Sequence, residues 1–167
     1  MRGMKVSPIK NKKEYKKMKC ANEIVEIRSN ANAAYEAKEK ARLIAEYVKA
    51  CANSVTLCEG RISEKLEEAA NTHGEKNVSI SIPIETYRDR LGNEMFSLVI
   101  EHKHSYANGD SSWAPDRIMH SYTALVEYLS QFCYKTEIQR RVFVRKCWGC
   151  GDCHYDALII TTAPACV

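Results

Sequence analysis

The feature that most restricts the fold is a change of hydrophobic period near Asn77. Between Ala34 and Leu66, apolar or small residues recur at spacings of three or four, as they do along one stripe of an α-helix. In residues 78–84, apolar residues alternate with polar ones, which is typical of a half-buried β-strand. A period that changes in this way predicts a helical first half and a second half built largely from strands.

The helical stripe is thin because many of its side chains are small. Its members are Ala34, Ala37, Ala41, Ile44, Val48, Cys51, Val55, Cys58, Ile62 and Leu66. A helix with so little apolar surface is not expected to be stable alone, so we expect the stripe to be buried against the sheet, another helix or a second subunit. Residues 12–28 also predict helix. Ser29 and Asn30 either break it from the next helix or are polar surface, so the first half is a long helix or a helical hairpin, and Gly60 predicts a kink or turn.

The second half predicts four strands and one helix. The strands span residues 78–84, 94–106, 141–145 and 157–162, with a turn at residues 91–93. Pro83 places the first strand at an edge or close to its end, and Pro115 with Asp116 predicts the start of a helix that runs to Phe132. The element order is then ααββαββ. This order predicts an α+β fold, in which a helical N-terminal half packs on an antiparallel sheet of two hairpins linked by a helix.

The length of 167 residues fits one domain with an appended arm. We expect a basic arm or first helix in residues 1–20 and one α+β domain over residues 21–167, helical in 21–74 and ββαββ in 77–163. No apolar stretch reaches the roughly 18 residues that a transmembrane helix needs. The basic N-terminus lacks the apolar core of a secretory signal, so a cytoplasmic protein is predicted.

Positive charge is concentrated at the N-terminus. The chain has 25 Lys and Arg residues against 21 Asp and Glu residues, and the first 20 residues hold eight basic residues against one acid, Glu14. The eight are Arg2, Lys5, Lys10, Lys12, Lys13, Lys16, Lys17 and Lys19. Because neutralising phosphates gives affinity for any sequence, such an arm favours contact with nucleic acid. A terminus that only aids solubility is the alternative.

Cysteines form the most specific motif in the chain. Residues 147–151 read Cys-Trp-Gly-Cys-Gly between the last two predicted strands, and Cys153 and His154 follow. Two residues between cysteines let both thiolates face one ion, and Zn²⁺ takes four nitrogen or sulfur ligands. The motif resembles the knuckle of zinc ribbons and rubredoxins. The resemblance implies Zn²⁺ held by Cys147 and Cys150 with Cys153 or His154, the set being completed by Cys166, Cys133, a histidine or water.

The same residues also match three other chemistries. Residues 150–154 fit the haem-attachment pattern, but neither an export signal nor a second axial ligand is apparent. Iron–sulfur clusters usually need a fourth cysteine, and thioredoxin-like redox motifs lie at a helix N-terminus rather than between strands. Because thiols stay reduced in the cytoplasm, the remaining scattered cysteines are predicted to be buried and free. These are Cys20, Cys51, Cys58 and Cys133.

His102 and His104 form a second group of metal-ligating type, on one side of a predicted strand. With the cysteine cluster they support an alternative function, a metal-dependent enzyme. The ordinary alternative for these histidines is the polar end of a strand that leaves the core. The chain lacks the glycine-rich phosphate loops, the nucleophile elbow and the His-Glu-x-x-His motif, which favours a protein without catalytic residues.

Basic and aromatic residues surround the knuckle. The predicted partner-binding residues are Arg140, Arg141, Arg145, Lys146 and Trp148, together with Lys12, Lys13, Lys16 and Lys17 of the arm. They predict a small intracellular binding protein that acts on nucleic acid or on a nucleic-acid-handling protein. Small charged chains without catalytic motifs resemble accessory proteins of phages and mobile elements, including inhibitors of host defence such as anti-CRISPR proteins. A homodimer built on the helical stripe, with a structural role, is a further alternative.

Overall fold

The computed structural model describes residues 18–72, 77–103, 111–147 and 151–163. The chain divides into two units, Met1–Lys40 and Ala41–Val167. The helical elements are α1 (Ala21–Leu57), a π-helical turn (Cys58–Ile62), α2 (Ser63–Ala70) and α3 (Tyr122–Ser130). The strands are β1 (Ser79–Arg88), β2 (Glu94–Lys103), β3 (Ser111–Pro115), β4 (His120–Ser121), β5 (Tyr134–Cys147) and β6 (Gly151–Thr162).

Within Met1–Lys40, the described residues form the start of α1. The Cys20 backbone N–H donates to the Glu23 carboxylate over 2.8 Å, and this acid lies in the first turn, where the helix dipole favours it. The helix passes through Ser29 and Asn30 without interruption, so the alternative of a polar surface is confirmed and that of a break is wrong. Both polar side chains are exposed, where they cost the helix little. The first predicted helix is therefore the beginning of α1 rather than a separate element.

Within Ala41–Val167, the strands form one antiparallel sheet in the order β3-β2-β1-β6-β5, and β4 also pairs with β2. The helical first part, the antiparallel sheet and the helix between the strand groups confirm the predicted α+β fold. Both predicted hairpins are present, as β1–β2 and β5–β6. The short strands β3 and β4 were not predicted, because their sequences carry no clear alternation.

Pro83 does not mark an edge strand. It lies inside β1, which is the middle strand of the sheet, and pairs with Ala157 of β6. The pairing of β1 with β2 begins only at Ile84. At Pro83, β1 is therefore unpaired on the side that faces β2. Proline is tolerated there because no backbone N–H is needed for a hydrogen bond to β2.

Helix α3 starts later than Pro115 and Asp116 predict. Pro115 ends β3, and the helix begins after Ser121, whose Oγ accepts a hydrogen bond from the Ala124 backbone N–H. A serine in this position satisfies one of the unpaired N–H groups of the first turn. The acid near Pro115 instead stabilises a turn, because the Asp116 carboxylate accepts from the Ile118 backbone N–H.

One hydrophobic core lies between the helices and the sheet of the second unit. Its helical members are Leu57, Cys58, Ile62, Leu66, Leu125 and Leu129, and its strand members are Ile80, Ile82, Ile84, Phe96, Leu98, Leu158 and Ile160. The predicted stripe thus divides in two. Its last three members, Cys58, Ile62 and Leu66, are buried, whereas Ile44 and Val48 keep 46% and 61% of their surface exposed.

Gly60 lies in the π-helical turn between α1 and α2. The turn continues directly into α2 at Ser63, so the predicted kink or turn is a local widening of one helical segment. A Cβ atom at Gly60 would meet no heavy atom within 4 Å. Side-chain crowding therefore does not require glycine at this position.

Hydrogen bonds attach the last part of α1 to β4 and to the residue before it. The Ser54 hydroxyl oxygen accepts from the Ser121 backbone N–H over 2.8 Å and lies 2.9 Å from the Ser121 carbonyl oxygen. The Asn53 side-chain amide donates to the Met119 carbonyl over 3.0 Å. These contacts leave His120 buried between helix and sheet, stacked on Phe96 with ring centroids 5.1 Å apart.

The burial of His120 makes stability depend on pH. Burial lowers the pKa of His120, against smaller opposing effects of the Asn53 backbone and Asp116. The unfolded chain, with a pKa of about 6.5 for this group, then binds more protons than the folded one. We expect the free energy of unfolding to fall as the pH decreases below about 6.5, and His120→Phe to remove most of this slope. Urea unfolding at several pH values measures how the free energy of unfolding changes with pH. The control is His154→Gln, which replaces a histidine at an exposed site. An unchanged slope in His120→Phe would contradict the assignment.

Candidate functional site

Beyond Asp156, strand β6 no longer pairs with β1, and β5 and β6 continue as a two-stranded ribbon beside the β1–β2 hairpin. The pairing of β1 with β6 reaches Asp156. Five further β5–β6 pairs follow, the last being Cys147 with Gly151. We call this ribbon, residues 143–147 and 151–155, the β arm. It is continuous with the sheet through β5 and β6, and in the described pairings its strands pair only with each other.

A β-bulge at residues 140–142 marks the base of the β arm. Arg141 has a backbone φ of 56°, which is uncommon for a residue other than glycine. Its N–H donates to one carboxylate oxygen of Asp156 over 2.9 Å, and the other oxygen accepts from the Thr86 hydroxyl over 2.7 Å and from Arg140 over 2.9 Å. The Arg140 guanidinium also contacts the Thr86 hydroxyl. Because bulges bend and twist a strand, this cluster sets the direction of the arm.

The Asp156 carboxylate is held in its charged form. Burial alone would raise its pKa, but hydrogen bonds from Thr86, the Arg141 backbone and Arg140, together with the Arg140 charge, bring the pKa below its ordinary value. The side chain of Asp156 is only 14% exposed. Asp156 is therefore a fixed anchor for the bulge rather than a free surface charge.

The arm and its bulge combine positive charge with exposed apolar surface. Residues 140–156 contain four basic residues and two acids, Asp152 and the Asp156 of the anchor. Arg141 is exposed, and Val142 and Val144 keep 47% and 57% of their surface exposed. A cationic ribbon with apolar side chains suits an anionic partner that also offers stacked or methylated groups.

The structure separates the predicted partner-binding residues into distinct groups. Arg140 is paired with Asp156 and is part of the anchor, whereas Arg141 faces solvent. Arg145 and Lys146 lie on β5 within the arm, and only their backbones are described. The other predicted residues lie outside the described residues: Trp148, Lys12, Lys13, Lys16 and Lys17.

Strand β5 ends at Cys147 and β6 begins at Gly151, so Cys153 and His154, which were predicted to lie between the strands, lie within β6. Cys153 is half-buried and the next residue, His154, is exposed. Consecutive residues of a paired strand point to opposite faces, so one ion takes either Cys153 or His154, not both. Among the residues whose side chains are described, no group of three or more His, Cys, Asp or Glu side chains could hold a metal ion.

The metal predictions largely involve parts of the chain that are not described. Cys150 and His104 lie outside the described residues, and for Cys147 and His102 only the backbone is described. The zinc site and the alternative site at the histidines therefore stay predictions. Cys133, offered as a further ligand, is disulfide-bonded, which removes it from the set.

The other scattered cysteines differ from one another in environment. Cys58 is buried, and burial, with the neighbouring Glu59 charge, raises the pKa of its thiol to about 11, so it is an unreactive core residue. Cys20 is exposed and Cys51 is half-buried, both with free thiols. The prediction of buried free thiols is thus confirmed for Cys58 and wrong for Cys20. It is also wrong for Cys133, which is bonded.

Sequence reasoning missed the anchor at Asp156. Its partner Thr86 is separated from it by 70 positions, so no local spacing connects the two. One signal was present: Asp156 directly precedes the apolar run of residues 157–160. A carboxylate at the start of a buried strand segment needs hydrogen-bond donors, so its position indicates that other parts of the chain donate hydrogen bonds to it.

No protein-family model, curated protein or solved structure matches this chain. Within the described ranges, none of the helices has both the length and the apolar character required to span a membrane.

Proposed function

We propose that this chain is a non-enzymatic protein that binds nucleic acid through its β arm and its basic N-terminal residues. The observation that carries the proposal is the two-stranded ribbon that is no longer paired with β1, with exposed Arg141 at its base and Arg145 and Lys146 on β5. The major groove of DNA, about 12 Å wide, admits a two-stranded β-ribbon. Basic residues on such a ribbon can contact the phosphates on both sides of the groove.

The wider proposal includes a Zn²⁺ ion and a cellular setting. A zinc knuckle would fix the connection between β5 and β6, since a structural ion contributes folding energy to a short loop. Zinc content of the purified protein, before and after Cys147→Ser, tests this part. The proposed setting is the cytoplasm. There, a chain that binds nucleic acid, or a protein that handles nucleic acid, would act as an inhibitor of host defence.

The β arm is tested by charge-matched double variants. We expect Arg141→Gln with Arg145→Gln to weaken binding to duplex DNA at least about 10-fold and to reduce the salt slope by about two units, one for each lost phosphate contact. The control, Arg88→Gln with Arg117→Gln, removes two exposed charges outside the arm and should change the affinity much less. Fluorescence anisotropy gives both dissociation constants. Equal losses in the two variants would mean that general charge, not the arm, determines binding.

A second candidate function, self-association along α1, is favoured by the exposure of Ile44 and Val48. The face of α1 that is buried in this unit carries Ala50, Ser54 and Leu57, so burial of Ile44 and Val48 within the chain is wrong. A second copy is the partner that their spacing favours, because most helix positions three or four residues away are uncharged. These positions are Ala41, Ala45, Tyr47, Cys51 and Ala52, and Lys40 is the exception.

Ile44→Asp tests the second candidate. We expect it to abolish dimers while leaving thermal unfolding of the monomer nearly unchanged, since Ile44 is exposed in the single chain. Sedimentation velocity at several concentrations measures the dimer, with Thr56→Asp, exposed on another face of α1, as the control. A wild-type protein that stays monomeric at high concentration would exclude self-association.

A further inference from the structure

A pocket of about 720 Å³ lies between α2 and α3 in the second unit. This volume is in the range of small-molecule sites. Apolar side chains such as Leu66 and Leu129 line its walls, and three aromatic residues, Tyr128, Phe132 and Tyr134, line one side. Both charged residues among the described lining residues are acids.

These acids, Glu59 and Glu67, come from the helical wall of the pocket. Glu59 belongs to the π-helical turn, and such turns are frequent at functional sites. Its carboxylate accepts a hydrogen bond from the Tyr128 hydroxyl over 2.8 Å. The Tyr128 and Phe132 rings lie 5.2 Å apart, tilted by 49°. One carboxylate is thereby fixed beside a pair of aromatic rings.

We propose that this pocket binds an organic ammonium ion with a hydrocarbon body. Aromatic faces attract cations at exposed sites as well as buried ones, and Glu59, Glu67 and Phe132 are exposed here. The two carboxylates supply charge of the opposite sign, and the apolar walls accept the hydrocarbon part. An anion of the same size would be repelled by Glu59 and Glu67, and a neutral molecule would gain only from the apolar walls.

Three probes of equal chain length separate these contributions: hexyltrimethylammonium, 1-hexanol and hexanoate. We expect the cation to bind the full-length protein about 10-fold more tightly than hexanol, and hexanoate to bind most weakly. Amide shifts in ¹H–¹⁵N spectra should locate the cation at Glu59, Tyr128 and Phe132. Equal affinity for the cation and hexanol, or shifts that map elsewhere, would overturn the proposal.

Variants test the assigned groups. Glu59→Gln should weaken binding of the cation about 10-fold and leave hexanol unchanged, while Glu64→Gln, an exposed acid of α2 outside the lining, should change neither. Tyr128→Phe keeps the ring and removes the hydroxyl that orients Glu59, so a smaller loss is expected. If the Glu59→Gln variant does not fold, Phe132→Leu is used instead, and it should weaken binding of the cation more than binding of hexanol. A loss that is equal for cation and hexanol in these variants would contradict the charge argument. The outcome is independent of nucleic-acid binding by the β arm.

Discussion

Replacing Asp156 with alanine should lower the free energy of unfolding by about 2–3 kcal/mol and weaken nucleic-acid binding, although it removes a negative charge. The carboxylate accepts hydrogen bonds from Thr86, the Arg141 backbone and Arg140, and its side chain is 14% exposed. Without it, the Arg141 N–H loses its partner, and of the described side-chain contacts of the bulge with β1 only that between Arg140 and Thr86 remains. The arm then loses the direction that the proposal needs.

Asp152→Ala is the charge-matched control for this variant. Asp152 lies on β6 within the arm and is exposed. Its removal should leave the stability within about 0.5 kcal/mol of the wild type and tighten nucleic-acid binding slightly, since one repulsive charge is lost. For each of the two variants, urea unfolding gives the free energy of unfolding and fluorescence anisotropy gives the dissociation constant for nucleic acid. If both variants change affinity in the same direction and to the same extent, Asp156 does not position the arm.

The Asp156 contacts also predict an acid dependence. Because the pKa of the folded carboxyl is below its ordinary value, its stabilisation is complete above about pH 4 and is lost as the pH falls through the folded pKa. The wild type should therefore lose more stability on acidification in this range than Asp156→Asn, which cannot titrate at this position. Equal acid profiles would show that the carboxylate gains nothing from these contacts.

Features encoded by neighbouring residues were predictable from the sequence. The change of period near Asn77 gave the α+β class, because periods of 3.6 and 2 reflect which face of an element is buried. The turn at residues 91–93 is present, with Gly92 at a φ of 84° and the Asp89 carboxylate accepting from the Leu91 and Asn93 backbone N–H groups. Turn chemistry of this kind is local, so spacing alone reveals it.

Features that depend on distant partners were not predictable. The buried face of α1 is determined by its contact with β4, where Ser54 pairs with Ser121, 67 positions away. The apolar stripe therefore predicted the wrong side of α1 as the side facing the core, since Ile44 and Val48 of the stripe are exposed. The Asp156 anchor, the placement of Pro83 in a middle strand and the pocket beside α2 likewise arise only when separate elements pack together.

Deleting residues 1–19 should reduce the salt dependence of binding by several units and leave the fold intact. The segment carries eight basic residues, and each phosphate contact contributes about 0.9 to the slope of log affinity against log salt. Helix α1 begins at Ala21, and Met18 is 95% exposed, so the described core loses no contact. Circular dichroism and thermal unfolding check the fold, and a full-length chain with the eight basic residues changed to Gln separates charge from length.

The most direct test of nucleic-acid binding is the affinity of the full-length protein for a duplex DNA, measured by fluorescence anisotropy across a series of salt concentrations. We expect measurable binding at low salt, with a slope of log affinity against log salt steeper than about −4. The slope should be shallower both for the N-terminal deletion and for Arg141→Gln with Arg145→Gln. No binding to duplex or single-stranded DNA or RNA at the lowest salt would contradict the proposal. So would an affinity that does not change with salt.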